Sequence, residues 1–307
     1  MAAEGAVYEN LFSKAGLSLE RLKTFIEVVE ARGFTAAAKG DPTRQSQYSR
    51  QVRELEAYFG VELLVRGRGR FALTPPGEAL LALVRSHLSG LDDLRRTCAD
   101  EPVEVRLAAG ESLLQWLVVP RLASLRKSRP NHIWLLKNRR SEEVVADIKG
   151  GLADFGVVRS DAVPPSLRHE PLGAMGYALF VPGKIPGGEQ GARIREVLEA
   201  RRMAALEGDS LYNDIVDWVA SIHGMTALVA LRCSSLPQVA EAVRDLGLAA
   251  VLPALARVAL GENITMFPLR LPKGLQRSLA LVWLPGQMHM RPTLQPIIAE
   301  VAKAFAL

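Results

Sequence analysis

Six side chains that donate or accept hydrogen bonds crowd into ten positions of this sequence: Arg44, Gln45, Ser46, Ser49, Arg50 and Arg53. Arginine and glutamine carry the forked donor and donor–acceptor groups that match guanine and adenine edges, and arginine also pairs with phosphate. A second basic cluster follows at Arg66-Gly67-Arg68-Gly69-Arg70. Its glycines let the backbone approach a duplex, and its arginines supply phosphate or minor-groove contacts that weaken steeply with salt. The patterns that catalysis requires are missing. There is no phosphate-cradling glycine loop ending in Lys-Ser/Thr, no dinucleotide-binding glycine fingerprint and no Gly-x-Ser-x-Gly turn. His87, His132, His169, His223 and His289 are scattered and read as structural or exposed. An α/β enzyme and a solute-binding transport protein are therefore weaker readings than a DNA-binding protein, and no cofactor or metal is expected.

The elements that must carry these side chains follow from hydrophobic period and punctuation. Leu19, Leu22, Phe25, Ile26 and Val29 recur at helical spacing behind Ser18, a good N-cap. Gly33 stops that helix, Thr35 is placed to cap a short Ala36-Ala37-Ala38 helix, and Gly40-Asp41-Pro42 forms a turn. The next helix is predicted from Thr43 or Arg44 to Gly60, burying Tyr48, Val52, Leu55 and Phe59 and exposing the six polar residues. Helix, short helix, tight turn and reading helix are the order of a helix-turn-helix, and Thr35 joins the expected DNA contacts. Leu63-Leu64-Val65 and Phe71-Ala72-Leu73 flank the arginine tip as a short hairpin, a wing that presents Arg66, Arg68 and Arg70.

The run Phe25, Ala37-Ala38, Gln45-Ser46, Ser49-Arg50-Gln51, Leu55-Glu56, Gly60, Leu63, Arg66, Leu73-Thr74 and Gly77 resembles the DNA-binding domain of LysR-type transcriptional regulators, without a gap. It departs from the family pattern at Asp41, Arg44 and Leu64. From Glu78 to about Thr97 no proline interrupts a stripe of Leu81, Val84, Leu88 and Leu91 that extends to Cys98. Such a stripe needs a partner. In the resembled family this linker pairs with its copy, which implies a homodimer or homotetramer; packing on its own domain is the other reading. Cys98 is either a redox-responsive thiol or a half-buried packing residue.

Beyond Pro102, strand-like and helix-like segments alternate from Val103-Ala109 to a closing helix at Pro296-Phe305, an α/β pattern. Leu117-Val118-Val119-Pro120, Gly151-Leu152-Ala153-Asp154 and the stretch from Asp245 to Pro253 resemble landmarks of the LysR-type effector domain, similar in fold to type 2 periplasmic binding proteins. The expected fold is thus an α-rich winged helix-turn-helix joined to a two-lobed α/β domain. Its parts are an extension (1–17, given no role), a DNA-binding domain (18–77), a linker helix (78–99) and an effector domain (100–307). Within the last, lobe I covers about 103–176 and 284–307 and lobe II about 177–283, joined by two crossing strands.

A ligand between the lobes would bias their closure. Carboxyl ends of strands and the helix starts that follow them nominate Glu111, Ser112, Arg139, Ser141, Arg159, Asp209, Ser210, Ser234 and Ser235. Ser112 and Ser141 stand where helix amides are free for an anion, and Arg139 or Arg159 would pair a carboxylate, so a small organic anion suits. Each serine would serve equally as a plain N-cap, and Glu111 and Asp209 oppose a purely anionic ligand.

Bulk properties agree. The chain has 307 residues, 49% hydrophobic and 23% charged, a net charge of +5 and two cysteines. This is the composition of a folded multi-domain protein and excludes a disulfide scaffold or a zinc finger. No apolar run approaches the roughly 20 residues of a membrane helix. The start through Glu4 and Glu9 does not read as a signal peptide, so a cytoplasmic location is expected.

Overall fold

The computed structural model describes residues 8–65, 71–185, 194–222, 224 and 226–307. It divides into two compact units, one of residues 1–95 with 149–152 and one of 96–148 with 153–307.

The first unit is helical: α1 (Glu9–Phe12), α2 (Leu19–Glu30), α3 (Phe34–Ala37), α4 (Pro42–Phe59) and α5 (Pro75–Cys98). Ser18 caps α2 as expected, its hydroxyl accepting from the Arg21 amide at 3.3 Å. Gly33, at φ 150°, turns the chain so early that α3 begins at Phe34, which places Thr35 inside the helix rather than at its cap. Helix α4 begins at Pro42, before the expected Thr43 or Arg44. Asp41 is its N-cap, with Oδ1 accepting the amides of Thr43 at 2.8 Å and Arg44 at 3.3 Å. Proline suits that first helical position because no bond is asked of its nitrogen. The Tyr58 hydroxyl donates to the Leu11 carbonyl at 2.6 Å, so α1 is tied to the end of α4.

Phe25, Val28, Tyr48, Val52, Leu55, Leu63, Leu64, Leu80, Leu81 and Val84 form the core of this unit. Phe59, expected inside, is 39% exposed. The buried place one turn earlier belongs to Glu56, whose Oε1 accepts the amides of Leu63 at 2.9 Å and Leu64 at 3.3 Å and so holds the chain as it enters the wing. Gly77 is obligatory, because a Cβ there would meet the Leu63 carbonyl oxygen at 2.1 Å.

The linker stripe is split by this core. Leu81 and Val84 are buried in it and Leu88 packs against it, so these three do not form a free dimer seam. The fully apolar stripe faces the α2–α4 layer while α5 passes it. The exposed large apolar residues of α5 are Leu83, Leu91 and Leu94 instead.

In the second unit, the strands are β1 (Val103–Ala109), β2 (His132–Asn138), β3 (Phe155–Arg159), β4 (Arg168–Met175), β5 (Tyr177–Pro182), β6 (Met203–Leu206), β7 (Val229–Cys233), β8 (Ala250–Pro253), β9 (Ile264–Leu269) and β10 (Arg277–Trp283). One sheet has the order β2-β1-β3-β10-β4, with β1 parallel to β2 and β3 and β10 antiparallel to both its neighbours. The second lobe holds β8-β5-β9 and the parallel pair β6-β7, linked through a bridge from Met203 to Ala249. Its helices are α8 (Ile194–Ala200), α9 (Ser210–Ser221) and α10 (Leu236–Asp245); α6 (Val119–Ser128), α7 (Ser141–Lys149) and the closing α11 (Ile297–Phe305) belong with the first lobe. The lobe boundary drawn at residue 284 is therefore corrected: β10 lies within the first sheet, and the second lobe ends before Arg277.

Asp154, from the Gly151-Leu152-Ala153-Asp154 landmark, is fully buried. It accepts from the Arg106 amide at 2.7 Å, Arg106 Nη2 at 2.9 Å, Gln287 Nε2 at 2.6 Å and Arg291 Nη1 at 2.6 Å. One carboxylate thus fastens the returning C-terminal segment to β1 and β3. A buried charge is tolerated only when it is paired and fully hydrogen-bonded in this way.

Candidate functional site

Two surfaces collect the polar side chains singled out in the sequence. On α4, Arg44, Ser46, Arg50 and Arg53 are exposed and Gln45 and Ser49 are half-buried. Exposed Thr43 and Gln47 share the face; Gln47 stands three residues before Arg50 and Thr43 four before Gln47, and that helical spacing is the signal for them. Thr35 is exposed on α3.

The face is pre-ordered. Arg44 lies 5.8 Å over the Tyr48 ring and donates to its hydroxyl at 3.2 Å, and that hydroxyl donates to Glu27 at 2.8 Å. Arg50 is 3.7 Å from Glu54, which Arg21 also pairs at 2.5 Å. The wing begins as expected, with Leu64 bridged to Leu73 and the Val65 amide donating to the Ala72 carbonyl at 3.0 Å. Arg66, Arg68 and Arg70 lie outside the described residues.

The nominated cleft residues do not form one group. Arg139 is spent on Asp147 at 3.1 Å and on the Asn138 carbonyl at 2.9 Å. Gly110 is the N-cap of the helix that Glu111 opens, so Ser112 is an interior residue of its first turn; Glu111 itself sits 3.5 Å from Gln115 Nε2. Ser141 opens α7. Ser235 caps α10, accepting from the Gln238 amide at 3.4 Å. Ser234 donates to Gln238 at 2.9 Å and lines an open groove of about 560 Å³ with Glu207, Cys233 and Glu241.

Arg159 and Asp209, by contrast, meet two residues the sequence did not flag, Tyr177 and Arg277. Asp209 is the N-cap of α9, taking the Tyr212 amide at 3.0 Å and Ser210 being the first residue of that helix. The same oxygen accepts from Arg277 Nη2 at the start of β10. The Tyr177 hydroxyl and the Nε atoms of Arg159 and Arg277 are buried without a hydrogen-bond partner. Burial raises the Asp209 carboxyl, but Arg277, the Tyr212 amide and Arg159 outweigh it and leave it below the usual aspartate range. Burial pushes Tyr177 up to about 12, with the Arg277 charge working the other way, so its hydroxyl stays protonated and a donor.

Arg277 carries no local signal of a site, because it stands at the amino end of its strand. Strand β10 is antiparallel, and its register, Leu279 opposite Arg159, brings its amino end to the carboxyl end of β3.

Cys98 is exposed, which overturns the half-buried packing reading. Cys233 is buried, and burial with Glu241 raises its thiol away from the thiolate. Among the described residues no group of three His, Cys, Asp or Glu side chains could hold a metal ion, and no helix is long and apolar enough to cross a membrane. His223 lies outside the described residues.

Comparison with known proteins agrees with both units. Residues 19–78 match the bacterial regulatory helix-turn-helix of the lysR family, and residues 100–306 match the LysR substrate binding domain. A Shigella flexneri relative, the uncharacterized HTH-type transcriptional regulator YfeR, is 32% identical over 148 residues, 46% of this chain and 47% of that protein. The matched stretch thus spans about half the length of that relative. The Hca operon transcriptional activator HcaR of Escherichia coli is 24% identical over 305 residues, covering 94% of this chain and 99% of its own. Full-length OxyR from Pseudomonas aeruginosa, in a variant form, superposes with a TM-score of 0.64 at 19% identity, over 94% of this chain and 96% of that one. CbnR complexed with its target DNA does so at 0.57 and 22% identity, over 94% and 99%. With both halves of its length matched in the family's order, the chain belongs to the LysR family of bacterial helix-turn-helix regulators.

Proposed function

We propose that this chain is a cytoplasmic transcription regulator that reads double-stranded DNA with α4 and the wing, as a homodimer or homotetramer, under the control of a small effector. The observation that carries the reading is the face of α4. Six exposed, hydrogen-bonding side chains, Thr43, Arg44, Ser46, Gln47, Arg50 and Arg53, stand on one helix that a buried core holds from behind. That is the arrangement a recognition helix needs in the major groove. Gln45 and Ser49 lie at the margin of this face, Thr35 contacts backbone, and Arg66, Arg68 and Arg70 contact phosphate or the minor groove. Pairing of two copies uses Leu83, Leu91 and Leu94 on α5, since Leu81 and Val84 are taken by the core.

The effector site is the polar cluster of Arg159, Tyr177, Asp209 and Arg277. Two buried donors without a hydrogen bond, beside an arginine held only by an exposed aspartate, call for a ligand rich in acceptors, and a small organic anion with a carboxylate provides them.

A gel-shift assay with duplex DNA from the upstream region of the gene tests the first claim. We expect a shift that weakens steeply between low and physiological salt. Arg50→Ala is expected to weaken binding on all sequences and lower the salt slope by about one, with the thermal melting of the protein unchanged. An unaltered DNA affinity in Arg50→Ala and Arg68→Ala together would mean that the reading face lies elsewhere.

A further inference from the structure

The Arg277–Asp209 pair joins two lobes that otherwise have different sheets. Arg277 begins β10 of the first sheet, and Asp209 caps α9 of the second lobe. Its guanidinium is about nine-tenths buried, with 10% of the side chain exposed, against 27% for Asp209. Both hydrogen bonds of the Asp209 carboxylate, from the Tyr212 amide and from Arg277, land on Oδ1.

Around the pair, donors outnumber acceptors. Arg277 Nε and the hydroxyl of the 2%-exposed Tyr177 are buried without a hydrogen bond, and Arg159 Nε has only an ion pair with Asp161. The other nearby carboxylate, Asp161, is 72% exposed and 3.3 Å from Arg159, too well solvated to satisfy the cluster. A buried donor left unpaired is costly, and two beside a half-exposed arginine mark a position built for an anion that is larger, or differently placed, than the single oxygen Asp209 offers.

We infer that Asp209 is a resident counter-ion of the effector site, seated on Arg277 where an incoming carboxylate must sit. A carboxylate ligand then binds by exchange: it takes Arg277, Arg159 and Tyr177 and releases Asp209 to its capping role alone. The exchange breaks the side-chain tie between β10 and the start of α9, which makes ligand binding and lobe geometry one event. Competition by Asp209 also sets specificity. Neutral ligands gain nothing from displacing it, so the site selects for a full negative charge. This inference rests on the reading of the cluster as the effector site.

The test uses the full chain and acetate as the probe, read by thermal shift against chloride at equal ionic strength. Asparagine caps helices about as well as aspartate, so Asp209→Asn removes the competing charge and keeps the cap. The half-saturating acetate concentration is expected to fall about tenfold in Asp209→Asn, because the apparent affinity of the native protein scales with the small fraction of sites that Asp209 leaves free. Asp209→Ser, a second capping variant, is expected to do the same. In Arg277→Gln, and independently in Tyr177→Phe, the acetate shift is expected to disappear or shrink. Acetate binding in Asp209→Asn that is equal to or weaker than in the native protein overturns the exchange while leaving the site in place. An acetate shift that survives both Arg277→Gln and Tyr177→Phe overturns the site itself. If acetate stabilises neither the native protein nor Asp209→Asn beyond chloride, the cluster is not a carboxylate site and the inference is lost.

Discussion

The two units put their functional charges in different places. In the helical unit the charges of the α4 face lie outside, ordered by half-exposed pairs such as Arg21 with Glu54, 30% and 36% exposed, while the buried Glu56 is spent on two backbone amides. In the α/β unit the decisive charges are inside: Asp154 at 0% with Arg291 at 2%, and Arg277 at 10% with Asp209. A surface that must meet a polyanion in water leaves its cations hydrated and mobile. A domain that must hold a small ligand and transmit its presence places charges where water does not screen them, and where each must therefore have a partner. The difference teaches which charges are structural and which are spare. Spare ones carry function.

The largest expected effect is at the best-satisfied buried charge. Asp154→Ala strands Arg291 and Arg106 beside a void and is expected to cost about 3–5 kcal/mol, the usual consequence of removing one member of a buried pair. Urea unfolding of the full chain followed by tryptophan fluorescence measures it. Glu54→Ala, its surface counterpart in the helical unit, is expected to cost under about 1 kcal/mol. Equal costs for the two would erase the distinction between the units.

An intermediate effect is expected at the start of the reading helix. Asp41 holds two amides of α4, and Asp41→Ala is expected to cost about 1 kcal/mol while Asp41→Ser restores nearly all of it. Circular dichroism melts of the two variants read the difference. The pairing of loss with rescue distinguishes a cap from a residue that matters only through its charge toward DNA.

How much of this was legible in the sequence follows the same division. The helical unit announced itself, because amphipathic period, Ser18, Gly33 and Gly60 are local signals and its functional residues are neighbours on one helix. What was misjudged there needed packing. Phe59 and Glu56 exchange inside and outside because Glu56 satisfies two wing amides, and Leu81 and Val84 are claimed by a core already formed by α2 and α4. In the α/β unit β4 and β9 carry the weakest local strand signal. Both are edge strands interrupted by Pro171 and Gly173 or by Pro268, residues that sheets accept only at edges and that read as loop breakers. The effector cluster was half visible. Arg159 and Asp209 sit at strand ends, whereas Tyr177 and Arg277 reach them only through an antiparallel register that no local pattern encodes.

The smallest expected effect is on the acid limb of the melting curve, at Asp209. Asp209 has its carboxyl held below the ordinary aspartate range. A group depressed on folding contributes stability above its unfolded value, near pH 4, and that contribution is lost as pH falls through the lower folded value. Melting temperature is therefore expected to drop on acidification below about pH 4, and the drop to be shallower in Asp209→Asn, which has no proton to gain. Because Asp209 is more exposed than Asp154, solvent screens it and the change in slope is modest. Thermal melts between neutral pH and about pH 3 give the comparison. Identical acid limbs for the native protein and Asp209→Asn would show that the Asp209–Arg277 pair contributes nothing to the stability of the fold. The two lobes would then be held by their apolar contacts alone, including Leu179, Val251 and Leu281 of the shared core.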